Sequence, residues 1–360
     1  MSSGFKADEL TVRDIFATSE DIRMPPYQRG YSWTEKEAGE LLSDLREASS
    51  SDRPYFLGAI VVVQARSKDP IEVVDGQQRL STLTLLLSVL RDVSDNREEA
   101  NRLHEMIESS SRGFLPGSTS PRWRLTLNHI DTPFFRETVQ KRGATLNADN
   151  YQPESESRQN ILQNLQVFRD ALKGSSSAER SRLANFILKQ CMFVRVKVAD
   201  RDGGYGAFRV LNTRGKQPSA HDILKSDLFE RAGFTDKDAV THSVAWNEFS
   251  HRLGSQGFDD LLKNIRTLFD KPSGGDMVTG FREHVISKIP ARTFLEDHLP
   301  RYVDAYEKIN GVRNTGSGFP ESARHSIDFM RCLEHVGWRS PALKYLINGD
   351  HTPERMETFF

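Results

Sequence analysis

Cysteine is nearly missing from this sequence: only Cys191 and Cys332 occur in 360 residues, and neither sits in a C-x-x-C or Cys/His spacing. That excludes a disulfide framework and a zinc ribbon, and it points to a reducing, cytoplasmic setting. Charge of one sign is missing too. Lys plus Arg number 49 against 50 Asp plus Glu, so there is no global basic field and any nucleic-acid contact must use a local patch. The longest apolar-rich stretch, Leu80 to Leu90, is too short to span a bilayer. MSSGFKADEL lacks the basic and apolar regions of a secretory leader, so a soluble protein with no membrane partner is expected. No Walker A pattern occurs, which excludes a P-loop as the holder of any nucleotide. No G-x-S-x-G elbow supports Ser/His/Asp hydrolysis. The ten histidines are scattered, and Asp297-His298-Leu299-Pro300 lacks the further His and Asn of a His-metal nuclease. Repeats, heptads and long like-charge blocks are absent, which excludes solenoids and coiled coils.

Hydrophobic residues make up 37% and charged residues 28% of the chain, enough apolar material for one large or two ordinary domains. Tyr55 to Val63 (YFLGAIVVV) and Ile71 to Val74 (IEVV) are β-branched runs joined by a polar turn, and they predict a β-hairpin. Before them, Ala38, Leu41, Leu42 and Leu45 recur at helical spacing after Thr34, which predicts a capped amphipathic helix over Glu35 to Ala48. After them, DGQQRLSTLTLLLSVLRDV carries leucines on nearly every side, as a central buried helix does. Ser109 to Arg122 and Gly143 to Glu156 are polar and turn-prone, and both predict exposed loops. Helices are expected around Arg158 to Leu172 and Ala178 to Lys189, followed by CMFVRVKVA, which alternates like an edge or surface strand. Beyond Gly206 the periodic runs are helical: Ala220 to Ala232, Val240 to Leu253, Phe258 to Phe269, Phe294 to Ile309 and Ser322 to Val336.

The segment Asp75-Gly76-Gln77-Gln78-Arg79 lies where a strand turns through glycine into a helix. Such a turn leaves unpaired N–H groups at the positive end of a helix dipole, which suits an anion. Arg79 can offer a guanidinium to phosphate, Gln77 and Gln78 offer amide donors, and Asp75 can hold a metal ion or orient water. Together they suit a nucleoside triphosphate. The same residues also fit a structural reading, with Asp75 capping, Gly76 turning and Arg79 pairing with a carboxylate.

A second cluster, Met24-Pro25-Pro26-Tyr27-Gln28-Arg29-Gly30-Tyr31-Ser32-Trp33, sets Gln28 and Arg29 among stiff prolines and aromatics. Trp33 reads as a core anchor. The third runs from Phe208 to Lys216 and on to Lys225. There Asn212, Arg214 and Lys216 suit either phosphate or helix capping, and Asp222 with Lys225 reads as a surface ion pair. Arg122, Arg124 and Arg136, with Trp123 between, read as a solvated basic loop that could touch DNA.

Three ordered segments, PPYQRGYSW, VVDGQQRLSTL and FRVLNTRGKQPSAHDILKSDL, resemble the N-terminal domain of GmrSD-type restriction and phage-defence proteins over about residues 10 to 230, and RLTLNHIDTPFF resembles it as well. The resemblance implies an α+β fold: a ParB/sulfiredoxin-like domain over 1–145, a helical extension over 146–235 and an α-helical region over 236–360, with the family's C-terminal nuclease domain absent. It implies a bacterial anti-phage effector that senses modified double-stranded DNA, hydrolyses GTP or ATP with Mg2+, and controls a nuclease. It makes Asp75, Gly76, Gln77, Gln78 and Arg79 the nucleotide site, with Asp75, Gln78 and Arg79 catalytic and Asp75 on the metal. Tyr27, Gln28 and Arg29 adjoin it, and Asn212, Arg214 and Lys225 complete it. Phosphorothioated DNA is the slightly favoured target, read by an apolar pocket of Pro25, Pro26 and Tyr31 beside Arg29. Glucosylated hydroxymethylcytosine DNA and a non-hydrolysing DNA clamp are the alternatives, and self-association is left open.

Overall fold

The computed structural model describes residues 6–25, 28–64, 66, 69–109, 122–198, 220–269, 277–311, 319–333, 337–348 and 352–360. The chain divides into two compact units, Met1–Gly215 and Lys216–Phe360. The resemblance implied bounds at 145 and 235; the first compact unit runs past 145, because two helices and a strand from 156–198 complete its core and sheet.

The first unit is α+β. Its strands are β1 (Lys6–Thr11), β2 (Ile22–Arg23), β3 (Tyr55–Val63), β4 (Ile71–Asp75), β5 (Glu108–Ser109), β6 (Arg122–Trp123), β7 (Leu125–Thr126) and β8 (Cys191–Val198). Six of them form one mixed sheet in the order β1-β8-β3-β4-β2-β7, and β5 pairs with β6 separately. The expected hairpin is present as antiparallel β3 and β4. Of the two places expected for the alternating strand, edge or surface, the edge is ruled out: β8 pairs antiparallel with β1 and parallel with β3. Alternation in its sequence reports two unlike faces, which an interior strand also has.

Period-two alternation sorts the strand residues onto the two faces. Ile60, Val62, Ile71, Val73, Cys191 and Phe193 enter the main core, while Val61, Val63, Val74, Val196 and Val198 form a smaller cluster. Leu57 also enters the main core, three residues from Ile60. The odd step is a β-bulge: the pairing of β3 with β8 shifts between Phe56 and Ala59, and Gly58 there has φ +101°.

The helices covering the main face are α1 (Val12–Phe16), α2 (Glu35–Ser51), α3 (Gln77–Asp92), α4 (Arg97–Glu105), α5 (Thr132–Phe135), α6 (Glu156–Lys173) and α7 (Ser177–Gln190). A capping box starts α2, since the Glu37 carboxylate accepts the Thr34 N–H at 2.7 Å and the Thr34 hydroxyl at 2.6 Å. The central helix is α3: Leu80, Leu83, Leu85, Leu86, Leu87 and Val89 are all buried completely. It packs against α4, α6 and the π turn Arg136–Gln140.

The far end of α3 carries a sealed ion pair, Arg91–Asp92, at 2.6 Å. Arg91 donates to the carbonyls of Val139, Gln140 and Lys141, the orphan acceptors where the π turn ends. Asp92 accepts from Gly143 and Thr145. The region Gly143 to Glu156, expected as an exposed loop, therefore begins as a docked 3-10 helix, Ala144–Asn150, with Thr145 and Ala148 buried. Arg122 and Arg124 are not a solvated basic loop either: Arg122 pairs with Asp21, and both donate to carbonyls of the Thr18–Ser19 turn.

The second unit is helical in its described residues. The expected pair of helices over 240–269 is present within Asp236–Phe269, parted at Gly254, where φ is +70°. Trp246 packs edge-on against Phe229 and Phe258, and Arg252 pairs with Asp304 and Glu307.

Replacing Arg91 with Met leaves Asp92 and three carbonyls without their buried cation. Stability measured by urea unfolding is expected to fall by about 3–5 kcal/mol, with a loss below about 1 kcal/mol contradicting this role.

Candidate functional site

At the end of β4 the chain must reverse and start α3 beneath β3. Gly76 makes this turn at φ +96°, and a Cβ there would lie 2.4 Å from Ile60 Cγ2. Only glycine meets both demands. The turn brings Asp75, Gly76, Gln77, Gln78, Arg79, Gln28 and Arg29 to one place, but on two sides of the helix. At about 100° per residue, positions 77, 78 and 81 share one face and position 79 lies roughly 150° from its middle.

Arg79 faces β3. Its guanidinium donates to the Leu57 carbonyl at 3.0 Å and pairs with Asp75 at 3.4 Å. The Gly58 bulge makes room, since a Cβ on Gly58 would stand 2.3 Å from Arg79 Nη1. Each side chain of the pair is 20% exposed, so it remains open to a ligand. Burial raises the Asp75 carboxyl above its ordinary 3.8, opposed by Arg79, the Gly76 N–H and Arg29. Burial likewise lowers Arg79, against the pull of Asp75. Arg29 is thus within electrostatic reach of Asp75.

Gln77 and Gln78 face the other way and hold an irregular segment. Gln78 Oε1 accepts the N–H of Ser32 at 2.8 Å and of Trp33 at 3.3 Å, and its Nε2 donates to the Gly30 carbonyl at 3.2 Å. Gln77 Nε2 donates to the Arg29 carbonyl at 3.3 Å, and Gln28 Nε2 to the Val74 carbonyl at 3.1 Å. Gln78, expected to be catalytic, has both ends of its amide committed to backbone groups that no strand or helix satisfies.

Tyr31, expected to face modified DNA, is 4% exposed. Its hydroxyl meets Thr82 Oγ1 at 2.7 Å and accepts from Asn164 Nδ2 at 2.8 Å. Pro25 is buried as well. Trp33 packs against the core as expected. Lys225 belongs to the second unit and is no surface ion-pair residue: it is 2% exposed, donates to Asn247 Oδ1 at 2.8 Å, and burial lowers its ammonium to about 7. Pro26, Tyr27, Asn212 and Arg214 lie outside the described residues, as do residues 110–121 of the expected loop.

Beside the Gln77 face is a small open recess. Met24, Arg29 and Tyr31 form one wall, and α3 contributes Ser81 with the two glutamines. The third side, Leu127, Asn128 and Asp131, was not anticipated as part of a site. Its trace in the sequence is the stretch RLTLNHIDTPFF, which places Asn128 and Asp131 in one tight turn: Asn128 Oδ1 accepts the N–H groups of Ile130 and Asp131. The enclosed space of the recess is about 10 Å³, about what a single water needs, so it is no complete small-molecule site.

Among the described residues no group of three or more His, Cys, Asp or Glu side chains could hold a metal ion, and no helix is long and apolar enough to cross a membrane. Asp75 is the carboxylate at this turn, and a Mg2+ ion carried on a triphosphate would be held chiefly by phosphate oxygens and water.

Gly76→Ala drives a methyl group into Ile60 at a left-handed position. Its unfolding free energy is expected to drop by about 1–3 kcal/mol from overpacking alone, with an unchanged denaturation midpoint speaking against the turn.

No curated protein matches this chain in a direct sequence comparison. A family model does: the one described as "GmrSD restriction endonuclease, N-terminal domain" matches residues 12–229, from the start of α1 into the first helix of the second unit. That span contains the Gly76 turn, the Asp75–Arg79 pair, the glutamine-held segment and the recess, and the chain belongs to the GmrSD N-terminal domain family of restriction proteins.

Proposed function

We propose that this chain binds and hydrolyses a nucleoside triphosphate, GTP or ATP with Mg2+, and that the reaction governs DNA cleavage in a restriction system. The observation that supports this is the open ion pair at the start of α3. Asp75 and Arg79 flank the positive end of a 16-residue helix, with Arg29 in electrostatic reach. Phosphate oxygens suit that position, where the dipole, first-turn N–H groups and arginine donors converge. Arg79 gives one N–H to Leu57 and one to Asp75, and the rest of its five-donor fork is available to phosphate.

In hydrolysis, water attacks the γ-phosphorus, the bond to the β–γ bridging oxygen breaks, and its electron pair leaves with the diphosphate. Asp75 takes the proton from the attacking water, a task for which its raised pKa makes it a stronger base than an ordinary aspartate. Arg79 offsets charge developing on the transferred group and holds Asp75 in place. Mg2+, when bound, neutralises phosphate charge. Gln78 acts through the 28–33 segment, and Lys225 contributes to the second unit.

Modified DNA is the proposed signal. The buried Tyr31 and Pro25 leave Arg29 as the member of the expected phosphorothioate pocket that both lines the recess and influences Asp75. Phosphorothioated and glucosylated duplexes are therefore compared directly.

The test is phosphate release from GTP and ATP with magnesium, alone and with unmodified, phosphorothioated and glucosylated duplexes. Release is expected, stimulated by one modified duplex. Asp75→Asn is expected to slow it roughly 100-fold or more, with the fold retained by circular dichroism. The rate should fall in acid as Asp75 is protonated, with a midpoint above 3.8 because burial raises that carboxyl. An Asp75→Asn protein that hydrolyses at the unsubstituted rate would refute the assignment. DNA binding without any phosphate release would favour the non-hydrolysing clamp.

A further inference from the structure

Asp75 and Arg79 stand four residues apart, near enough for a tight two-point pair, yet they meet through one contact of 3.4 Å. That is longer than the roughly 2.7–2.9 Å of a charge-assisted hydrogen bond. The guanidinium is held back from the other side. Nη2 faces Asp75, whereas Nη1 donates to the Leu57 carbonyl at 3.0 Å. The group therefore bridges from β3 to the end of β4 instead of folding onto the acid.

This bridge depends on the residue after Leu57. Gly58 lies in the β-bulge where the pairing of β3 with β8 shifts, at φ +101°. A Cβ there would stand 2.3 Å from Arg79 Nη1 and 3.4 Å from its Cζ, in the space that the guanidinium occupies. The atoms met are the tip of a long flexible side chain, which yields before the strand backbone does. A side chain at position 58 thus pushes Arg79 off the Leu57 carbonyl, and the freed guanidinium turns to its remaining partner, the Asp75 carboxylate.

We propose that Gly58 is a positioning residue that keeps the Asp75–Arg79 pair open, by letting Arg79 lie against β3 and stay tied to the Leu57 carbonyl. Its consequence for hydrolysis rests on the nucleotide reading above, whereas the geometry belongs to the free protein. An open pair leaves guanidinium donors for phosphate. It also keeps Asp75 a better base, because a closer cation favours the ionised carboxylate. Among the described residues the charged groups in reach of Asp75 are Arg79 from α3 and Arg29 from the 28–33 segment, with the Gly76 N–H beside them. From β3 it meets Val61, its uncharged cross-strand partner. Closing the pair strengthens the pull of Arg79, so Asp75 would ionise at lower pH. Removing Arg79 would act in the opposite direction.

The experiment follows the Asp75 carboxyl by carbon-13 NMR across pH in the nucleotide-free full chain, its signal assigned by its loss in Asp75→Asn. Phosphate release from GTP and ATP with magnesium is measured on the same proteins. Gly58→Ala is expected to lower the carboxyl midpoint by about one pH unit, a tenfold change in its dissociation constant, and to slow release about tenfold or more. Arg79→Ala should raise the midpoint, and adding Gly58→Ala to it should shift the midpoint no further. Ile161→Val, which trims a fully buried side chain of α6, should move neither reading and so separates the effect from general loosening. Gly58→Asn, a residue type that tolerates positive φ better, gives a second reading if the alanine variant fails to fold. A midpoint unmoved at position 58, a shift that persists without Arg79, or a normal rate beside a shifted midpoint overturns this role. If the unsubstituted chain releases no phosphate, the nucleotide reading falls, and the midpoints still decide whether Gly58 holds the pair open.

Discussion

Backbone groups buried away from water must be satisfied, and residues 28–33 form no strand or helix that would satisfy them. The two glutamines at the start of α3 do so instead. Gln78 serves Gly30, Ser32 and Trp33, and Gln77 serves Arg29. Asn164 from α6 adds a bond to the Trp33 carbonyl, and Ser157 accepts the Tyr31 N–H. The segment carrying Arg29 is therefore tied to two helices, and its position relative to Asp75 follows from those ties. Altering the amides would move the cation and open the recess together.

The two ends of α3 show how similar charged pairs serve different purposes. Arg91–Asp92 is sealed, at 1% and 2% exposure, and its donors go to the backbone where the π turn ends. Asp75–Arg79 is 20% exposed on both sides and longer, at 3.4 Å. A sealed pair with all its neighbours supplied contributes to the fold and has nothing left to offer. An open pair at the positive end of a helix keeps both solvent access and unused donors, the condition for binding an anion.

Much of the fold was legible because its signals are local. The Thr34 cap, the β3–β4 hairpin, the buried leucines of α3 and the break at Gly254 each follow from spacing within a few residues. The failures share a cause. The interior place of β8 depends on pairing with Lys6–Thr11, far away in the chain. The docking of residues 144–150 depends on Asp92. Lys225 read as a surface ion pair because its charge was visible, whereas its burial beside Asn247 was not.

The candidate site divides along the same line. The sequence by itself determined that residues 75–79 turn from strand to helix through glycine and gather an acid, two amides and an arginine there, since all of that lies within one helical turn. Tertiary structure alone decided which way each side chain faces. Helical twist sends Arg79 toward the Gly58 bulge and the glutamines toward residues 28–33, and the bulge is a property of pairing between β3 and β8. The recess exists only because three distant stretches, 24–31, 77–81 and 127–131, meet around the start of α3.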